Sequence, residues 1–509
     1  DTYGIINDTS GEIISTGNYD TLISNNSSKQ KKFNNLTLKN RSYEGYAIDA
    51  YKYDIKIYDS YILNEYSGSG IDANSVDIYN SNIYIRNIRS TKPYSVDAKY
   101  VNIYNSNIEG LMSITYRGNI ESSTFYELVI GHANSSEKNK IINIINSTSS
   151  GEIRTNDDDQ ILNIEDSKCG ILNNIRSTVN SINSVFSLVY NNYGTINFNG
   201  LSKVEYKPVK EPNIYNRSAI DNRNGGTINI NDYFILNSTY DGITCASGVV
   251  NVGNASEDYS KEFPKISASD YSFISEAIID GHPDGINIYS GIFKSGINKS
   301  IDGPIKSIRE NYGLNIEKNN EQSTEIMSLS TDRKPIKDID TNEEYQTITE
   351  ALTTLENKSL LNLQLIDTVY SVDNIVIPTG KTLNLDFNGH NAEIYANKFI
   401  KNNGVLKLYD STYVEGDESK VLGASLVNGY VSIENINEMS IKGFTIEKNN
   451  SNSTLKSQYL INNSGNLTID YSKIENKNSS FFIENLQNAN LIINDGIFNL
   501  DNEFYNGNG

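Results

Sequence analysis

The chain has 509 residues, 37% of them hydrophobic, and a formal net charge of −20 from 43 Lys and Arg against 63 Asp and Glu. Such acidity excludes nucleic acid and anionic membrane surfaces as partners, because phosphate binding requires clustered cations. No apolar run approaches the roughly 18 residues that cross a bilayer, so no membrane insertion is expected.

Residues 11–17 and 35–40 read as short strands with no helix before them. The chain opens on Asp1, not Met, which reads as a piece of a longer, processed protein. From residue 45 to 110 one phrase recurs: Ile57-Tyr58-Asp59-Ser60, Ile78-Tyr79-Asn80-Ser81 and Ile103-Tyr104-Asn105-Ser106. The steps are 21 residues (58 to 79) and 25 residues (79 to 104). A looser form, apolar-x-apolar-x-Asp/Asn-Ser/Gly, continues at 144–147, 164–167, 285–291, 406–411, 467–472 and 491–496. Short alternating strands at a period of roughly 20 to 35 residues are the signature of a solenoid. A solenoid also accounts for a chain this long and this sparsely hydrophobic, since each coil needs only its neighbours.

Alternation places Ile55 and Ile57 inside the coil and Lys56 and Tyr58 outside. Tyr58, Tyr79 and Tyr104 then fall in matching register as an outer ladder. Asp59, Asn80 and Asn105 follow at the turn, each with a Ser that can cap it. Three uses of the Tyr ladder remain open: stacking that stabilises the coils, contact with a partner, and contact with a glycan. With 35 Tyr and no Trp in the chain, Tyr alone does not mark a binding site.

Between 110 and 310 coil length varies. Strands at 195–198 and 227–230 follow Gly194 and Gly225-Gly226, and glycine there is expected to turn the corner with positive φ. Arg154 with Asp157, Asp158 and Asp159 is the best acidic cluster. It reads as a solvated loop, a weak Ca²⁺ candidate, or an acid and base for glycoside chemistry. Adjacent residues at a corner point apart, which weakens the last two readings. Cys169 and Cys245 lie 76 residues apart (245 − 169), about three coils or roughly 14 Å. A disulfide needs Cα atoms within about 7 Å, so two free thiols are expected. His132, His282 and His390 are widely separated and lack ligand-spaced acidic or Cys neighbours, so no catalytic histidine is expected. Neither a nucleophile elbow nor a phosphate-cradling glycine loop is present.

Residues 316–340 are polar and read as a linker between a first solenoid at 1–315 and a second at 341–509. The second opens on a capping helix expected at 342–356. Thr341 with Glu344 forms a capping box, and Tyr345, Ile348, Leu352 and Leu355 make one apolar stripe. The second solenoid is expected to be incomplete at its C-terminus.

The stretches Ile377-Pro378-Thr379-Gly380-Lys381-Thr382-Leu383-Asn384-Leu385-Asp386-Phe387-Asn388-Gly389-His390 and Asn403-Gly404-Val405-Leu406-Lys407-Leu408-Tyr409-Asp410-Ser411 resemble the opening coils of pectate-lyase-like right-handed parallel β-helices. The form is similar to versions in large, repeat-built bacterial surface proteins. Residues 341–509 carry the likeness best; residues 1–310 share only the coil rhythm. The resemblance implies an all-β, right-handed, three-faced parallel β-helix. That family holds polysaccharide lyases, hydrolases, phage tailspikes and non-catalytic adhesins.

The expected function is a non-catalytic extracellular stalk or adhesin segment of a bacterial surface protein, a rigid rod for attachment. Expected partners are neighbouring solenoid domains, of the same or an identical chain, and host or cell-surface glycan. No catalytic residue and no cofactor is assigned, with Ca²⁺ left open. Two alternatives stand. A carbohydrate-active enzyme would need acids stacked across coils, and a filament subunit would dock coil on coil through residues 491–494.

Overall fold

The computed structural model describes residues 11–14, 23–24, 31–41, 45–65, 69–85, 94–131, 140–208, 217–231, 233–254, 263–275, 285–296, 301–302, 305–309, 312–319, 324–330, 333–370, 375–394, 400–414, 425–428, 433–443, 445–448, 461–476, 483–500 and 505–506. These residues are nearly all β, arranged as the parallel β-helix that the repeats predict. The chain divides into two compact units. One holds residues 1–243 and 263–268; the other holds 244–262 and 269–509.

In the first unit every coil adds a parallel strand to each of three faces. Ile48–Tyr58 pairs with Ile71–Tyr79, which pairs with Tyr94–Tyr104, with Ile48, Val76 and Ile78 meeting Ile71, Val101 and Ile103 in register. Inward positions are apolar, and β-branched side chains fill them well. Ile57, Ile78, Ile103, Ile120 and Ile144 form one fully buried stack. Lys56 and Tyr58 face outward and are half-buried, as alternation requires.

The corner after that stack is two residues long. Asp59, Asn80, Asn105, Asn146, Asp166 and Asn183 all take positive φ between 46° and 51°. Asn and Asp enter this left-handed region more readily than other side chains, which explains the phrase in the sequence. The following serines form a continuous spine. Each backbone N–H donates to the next hydroxyl: Ser60 to Ser81 at 3.0 Å, Ser81 to Ser106 at 3.0 Å and Ser106 to Ser123 at 3.1 Å. The run continues through Ser147, Ser167 and Ser184 to Ser202. Each hydroxyl also donates to a nearby carbonyl, as Ser81 does to Tyr79 at 2.7 Å. Buried polar groups must be paired, and this arrangement pairs them coil by coil.

Two Asn ladders extend the scheme. Outside, Asn143, Asn163, Asn180, Asn197 and Asn229 pass one amide bond from coil to coil at 2.7–3.0 Å. Inside, Asn174 donates to Asn191 and Asn191 to Asn222, both at 2.8 Å. This inner ladder corrects the role expected for Gly194. The positive φ falls on Tyr193 (63°), and Gly194 is required by space: a Cβ there would lie 2.2 Å from Asn174 Nδ2. Gly225 does take positive φ, at 80°.

In the second unit, part of the stretch expected as a linker at 316–340 is strand: Gly313–Asn319 and Thr324–Ser330 pair antiparallel. Ile336–Asp338 then runs antiparallel to Leu360–Leu365. From there parallel coils resume through Thr382–Asp386, Val405–Tyr409, Glu438–Lys442 and Asn466–Asn476. The helix forms but is shorter than expected: Ile348–Thr353, followed by a 3-10 turn Thr354–Glu356. Its N-cap is Thr347, whose hydroxyl accepts from Glu350 N at 3.0 Å, while the Glu350 carboxylate accepts from Gln346 N at 2.8 Å. The cap thus sits six residues beyond Thr341, with the Glu350 carboxylate reaching back to the residue ahead of it. Tyr345, Ile348, Ala351 and Leu355 join one buried core with Leu361, Leu363, Ile375 and Leu383, and Leu352 packs beside it. Another inner ladder, Asn402 to Asn435 to Asn463 to Asn485, runs at 2.7–2.8 Å.

Candidate functional site

The Tyr58, Tyr79 and Tyr104 rings stack in register. Centroids are 4.8 Å apart with planes 4° apart for the first pair, and 5.0 Å and 10° for the second. The ammonium of Lys32 lies over the Tyr58 ring at 5.0 Å, and Asn119 donates to the Tyr104 hydroxyl at 3.3 Å. Burial and the neighbouring Asp77 push the Tyr79 phenol above its ordinary range. Both faces of Tyr79 are therefore occupied by other rings of the ladder, and only ring edges remain for anything else.

Asp157, Asp158 and Asp159 do not converge. Asp157 is ion-paired to Lys140, Asp158 is exposed and 3.9 Å from Arg176, and Asp159 is exposed, its N–H donating to Asp157 Oδ1 at 3.4 Å. Arg154 turns instead to Glu152 at 2.9 Å. Among the described residues, no three His, Cys, Asp or Glu side chains come together as a metal site.

Acids do stack across coils, at a place not expected. Asp49, Asp72 and Asp97 occupy one outward column of three adjacent coils, in direct register. Among the described residues none of the three is ion-paired; Asp49 accepts one bond, from Tyr51 N at 3.4 Å. Like charges directly opposite one another are unfavourable. Burial, then the charges of Asp97 and Asp49, push Asp72 up to about 6. The Tyr46 phenol is raised by its own burial and by the charges of Asp72, Asp49 and Asp97. A carboxyl raised above its ordinary range within a cluster of acids is the kind of arrangement from which acid and base roles are drawn. The signal was present in the sequence as Ile48-Asp49-Ala50, Ile71-Asp72-Ala73 and Val96-Asp97-Ala98, at steps of 23 (49 to 72) and 25 (72 to 97).

A cleft of about 290 Å³ opens elsewhere in the first unit, lined by Asn107, Glu109, Thr124, Tyr126, Thr148 and Ser150. Its polar groups are partly spent on each other, since Thr124 Oγ1 donates to Asn107 Oδ1 at 2.6 Å. His132 and His282 lie outside the described residues. His390 donates its backbone N–H to Phe387 O at 2.8 Å, within a turn. Cys169 and Cys245 are free and buried, and burial pushes the Cys169 thiol up to about 12. No protein-family model matches the chain, and no curated protein matches its sequence.

Proposed function

We propose that this chain is a non-catalytic stalk or adhesin segment of a bacterial surface protein, held outside the cell and similar in build to pectate-lyase-like right-handed β-helices. One observation carries the reading: polar side chains at the corners and on the outer faces are bonded to the same position of the next coil. The serine spine from Ser60 to Ser202 and the Asn143 to Asn229 ladder spend their donors and acceptors on cohesion along the coil axis. That is the distribution expected of a spacer, and it leaves ring edges and loops for contact with neighbouring solenoids or glycan. Single-molecule pulling between the two ends tests it. A stalk resists with successive high-force events, whereas release of the coils at low force sinks the reading. A glycan array with the same chain separates adhesin from spacer.

The Asp49–Asp72–Asp97 column favours a second reading, an enzyme acting on acidic or neutral polysaccharide. It predicts new reducing ends or unsaturated products from a polysaccharide panel between pH 5 and 7, abolished by Asp72→Asn. Such turnover would replace the stalk reading; its absence across the panel removes the enzyme.

A further inference from the structure

Lys140 begins the strand Lys140–Ile145 in the inward position of an alternating pattern, ahead of the buried Ile142 and Ile144. Its side chain is 1% exposed and ion-paired with Asp157, itself 14% exposed. Asp157 is the one acceptor that the ammonium meets among the described residues. Gln160, in register with Lys140 on the next coil, is also 1% exposed, and among the described residues neither its Nε2 nor its Oε1 has a partner. The corner is tight, since a Cβ on Gly131 would stand 2.9 Å from Gln160 Oε1 and 3.0 Å from Asp157 Cβ.

An ion pair taken out of water recovers its desolvation cost only when its remaining donors and acceptors are bonded. Here, among the described residues, the ammonium keeps unused N–H groups beside a carboxamide with no partner. Two charges and an idle amide in one largely buried corner are a poor resting state.

We propose that Lys140 and Asp157 are joined by an amide bond between Nζ and Cγ. Transfer of one proton from Lys140 Nζ to the Asp157 carboxylate, across the contact that joins them, gives the neutral amine and carboxylic acid that the reaction uses. The neutral amine attacks Cγ, the Nζ–Cγ bond forms, the Cγ–O bond breaks and one water molecule leaves. No oxidant or cofactor enters the balance. Holding the two groups in contact supplies the effective concentration that the reaction lacks in solution. The product is uncharged and carries one N–H and one C=O, the complement of the Oε1 and Nε2 that Gln160 leaves unpaired. It closes a covalent loop between positions 17 residues apart.

The intact, denatured full chain is expected to weigh less than its sequence by one water, and a digest is expected to hold one branched peptide joining residues 140 and 157. Lys140→Arg keeps a cation opposite Asp157 but cannot form the bond, so the sequence mass returns. Asp157→Asn is expected to give the same branched peptide with ammonia lost in place of water. A wild-type mass equal to the sequence mass, in a chain with a β-sheet circular dichroism spectrum, overturns the proposal. So does a water deficit that survives Lys140→Arg, which would belong to a cyclised Asp or Asn elsewhere. Neither of these two outcomes depends on the variants being folded.

Discussion

A first side-chain carbon on Gly194 would stand 2.2 Å from the Asn174 amide nitrogen and 2.6 Å from the Ser177 carbonyl oxygen that this amide bonds. Gly194→Ala therefore has to displace the buried ladder, leaving donors unpaired. It is expected to cost about 2–3 kcal/mol. A Cβ on Gly225 would meet nothing within 4 Å, and that glycine is required only by its φ of 80°. Gly225→Ala should cost about 1–2 kcal/mol, the ordinary strain of that backbone region. Urea midpoints of the two variants check the order; a larger loss at Gly225 would contradict the account.

Acid has opposite effects at two carboxylates. Asp72 has a folded value of about 6, above its ordinary 3.8, so the native state holds its proton more tightly. Its contribution is fully present below pH 3.8 and is lost as pH rises through about 6. Asp72→Asn is expected to stabilise the protein by about 1 kcal/mol at pH 7, a figure reduced for solvent screening, and by nothing near pH 4. Burial works to raise Asp338 as well, but bonds from Lys358, Asp340 and Thr341 outweigh it and hold that carboxyl low. Its contribution is present above the ordinary carboxylate range and lost as pH falls. Asp338→Asn should cost about 2 kcal/mol at pH 7 and progressively less in acid. Stability curves from pH 4 to 8 for both variants check the two signs.

Tyr79 stacks on two rings, whereas Tyr58 stacks on one and takes Lys32 on its side. Tyr79→Leu is expected to cost about 1–2 kcal/mol, more than Tyr104→Leu. A double-mutant cycle on Tyr58 and Tyr79 should return a coupling of about 0.5–1 kcal/mol. Additive losses would mean that the rings merely lie near one another.

The helix Ile348–Thr353 starts at Thr347. Thr347→Ala is expected to weaken it by about 1 kcal/mol, read as faster amide exchange across 348–353. Thr341→Ala should leave that exchange unchanged, because the Thr341 hydroxyl accepts from Glu343 N, ahead of the helix.

Much of the coil was legible because one phrase encodes three things at once. In Ile57-Tyr58-Asp59-Ser60 the alternation sets the inner and outer faces, the Asp sets the corner and the Ser sets the spine. The acid column is equally legible in Ile48-Asp49-Ala50, Ile71-Asp72-Ala73 and Val96-Asp97-Ala98, where the acids lie one coil apart in sequence and adjacent in space, whereas the consecutive acids at 157–159 diverge at a corner. The inner ladder was not legible. Asn173 and Asn174 are adjacent and chemically identical, and only the path of the chain decides that Asn174 is the buried one. Thr341-x-x-Glu344 and Thr347-x-x-Glu350 both satisfy the capping pattern, and local chemistry does not choose between them. Burial of the Ile348, Ala351 and Leu355 side chains in the core does.

The serines along the spine are separated in sequence by 21, 25, 17, 24, 20, 17 and 18 residues, yet they are bonded one to the next throughout. The corner is thus indifferent to how much chain the rest of a turn contains. Insertions and deletions can accumulate opposite it without disturbing registration, and a duplicated segment can be spliced in wherever one Ser meets the next. Such a molecule can lengthen in evolution by copying, with no need to invent a new interior each time.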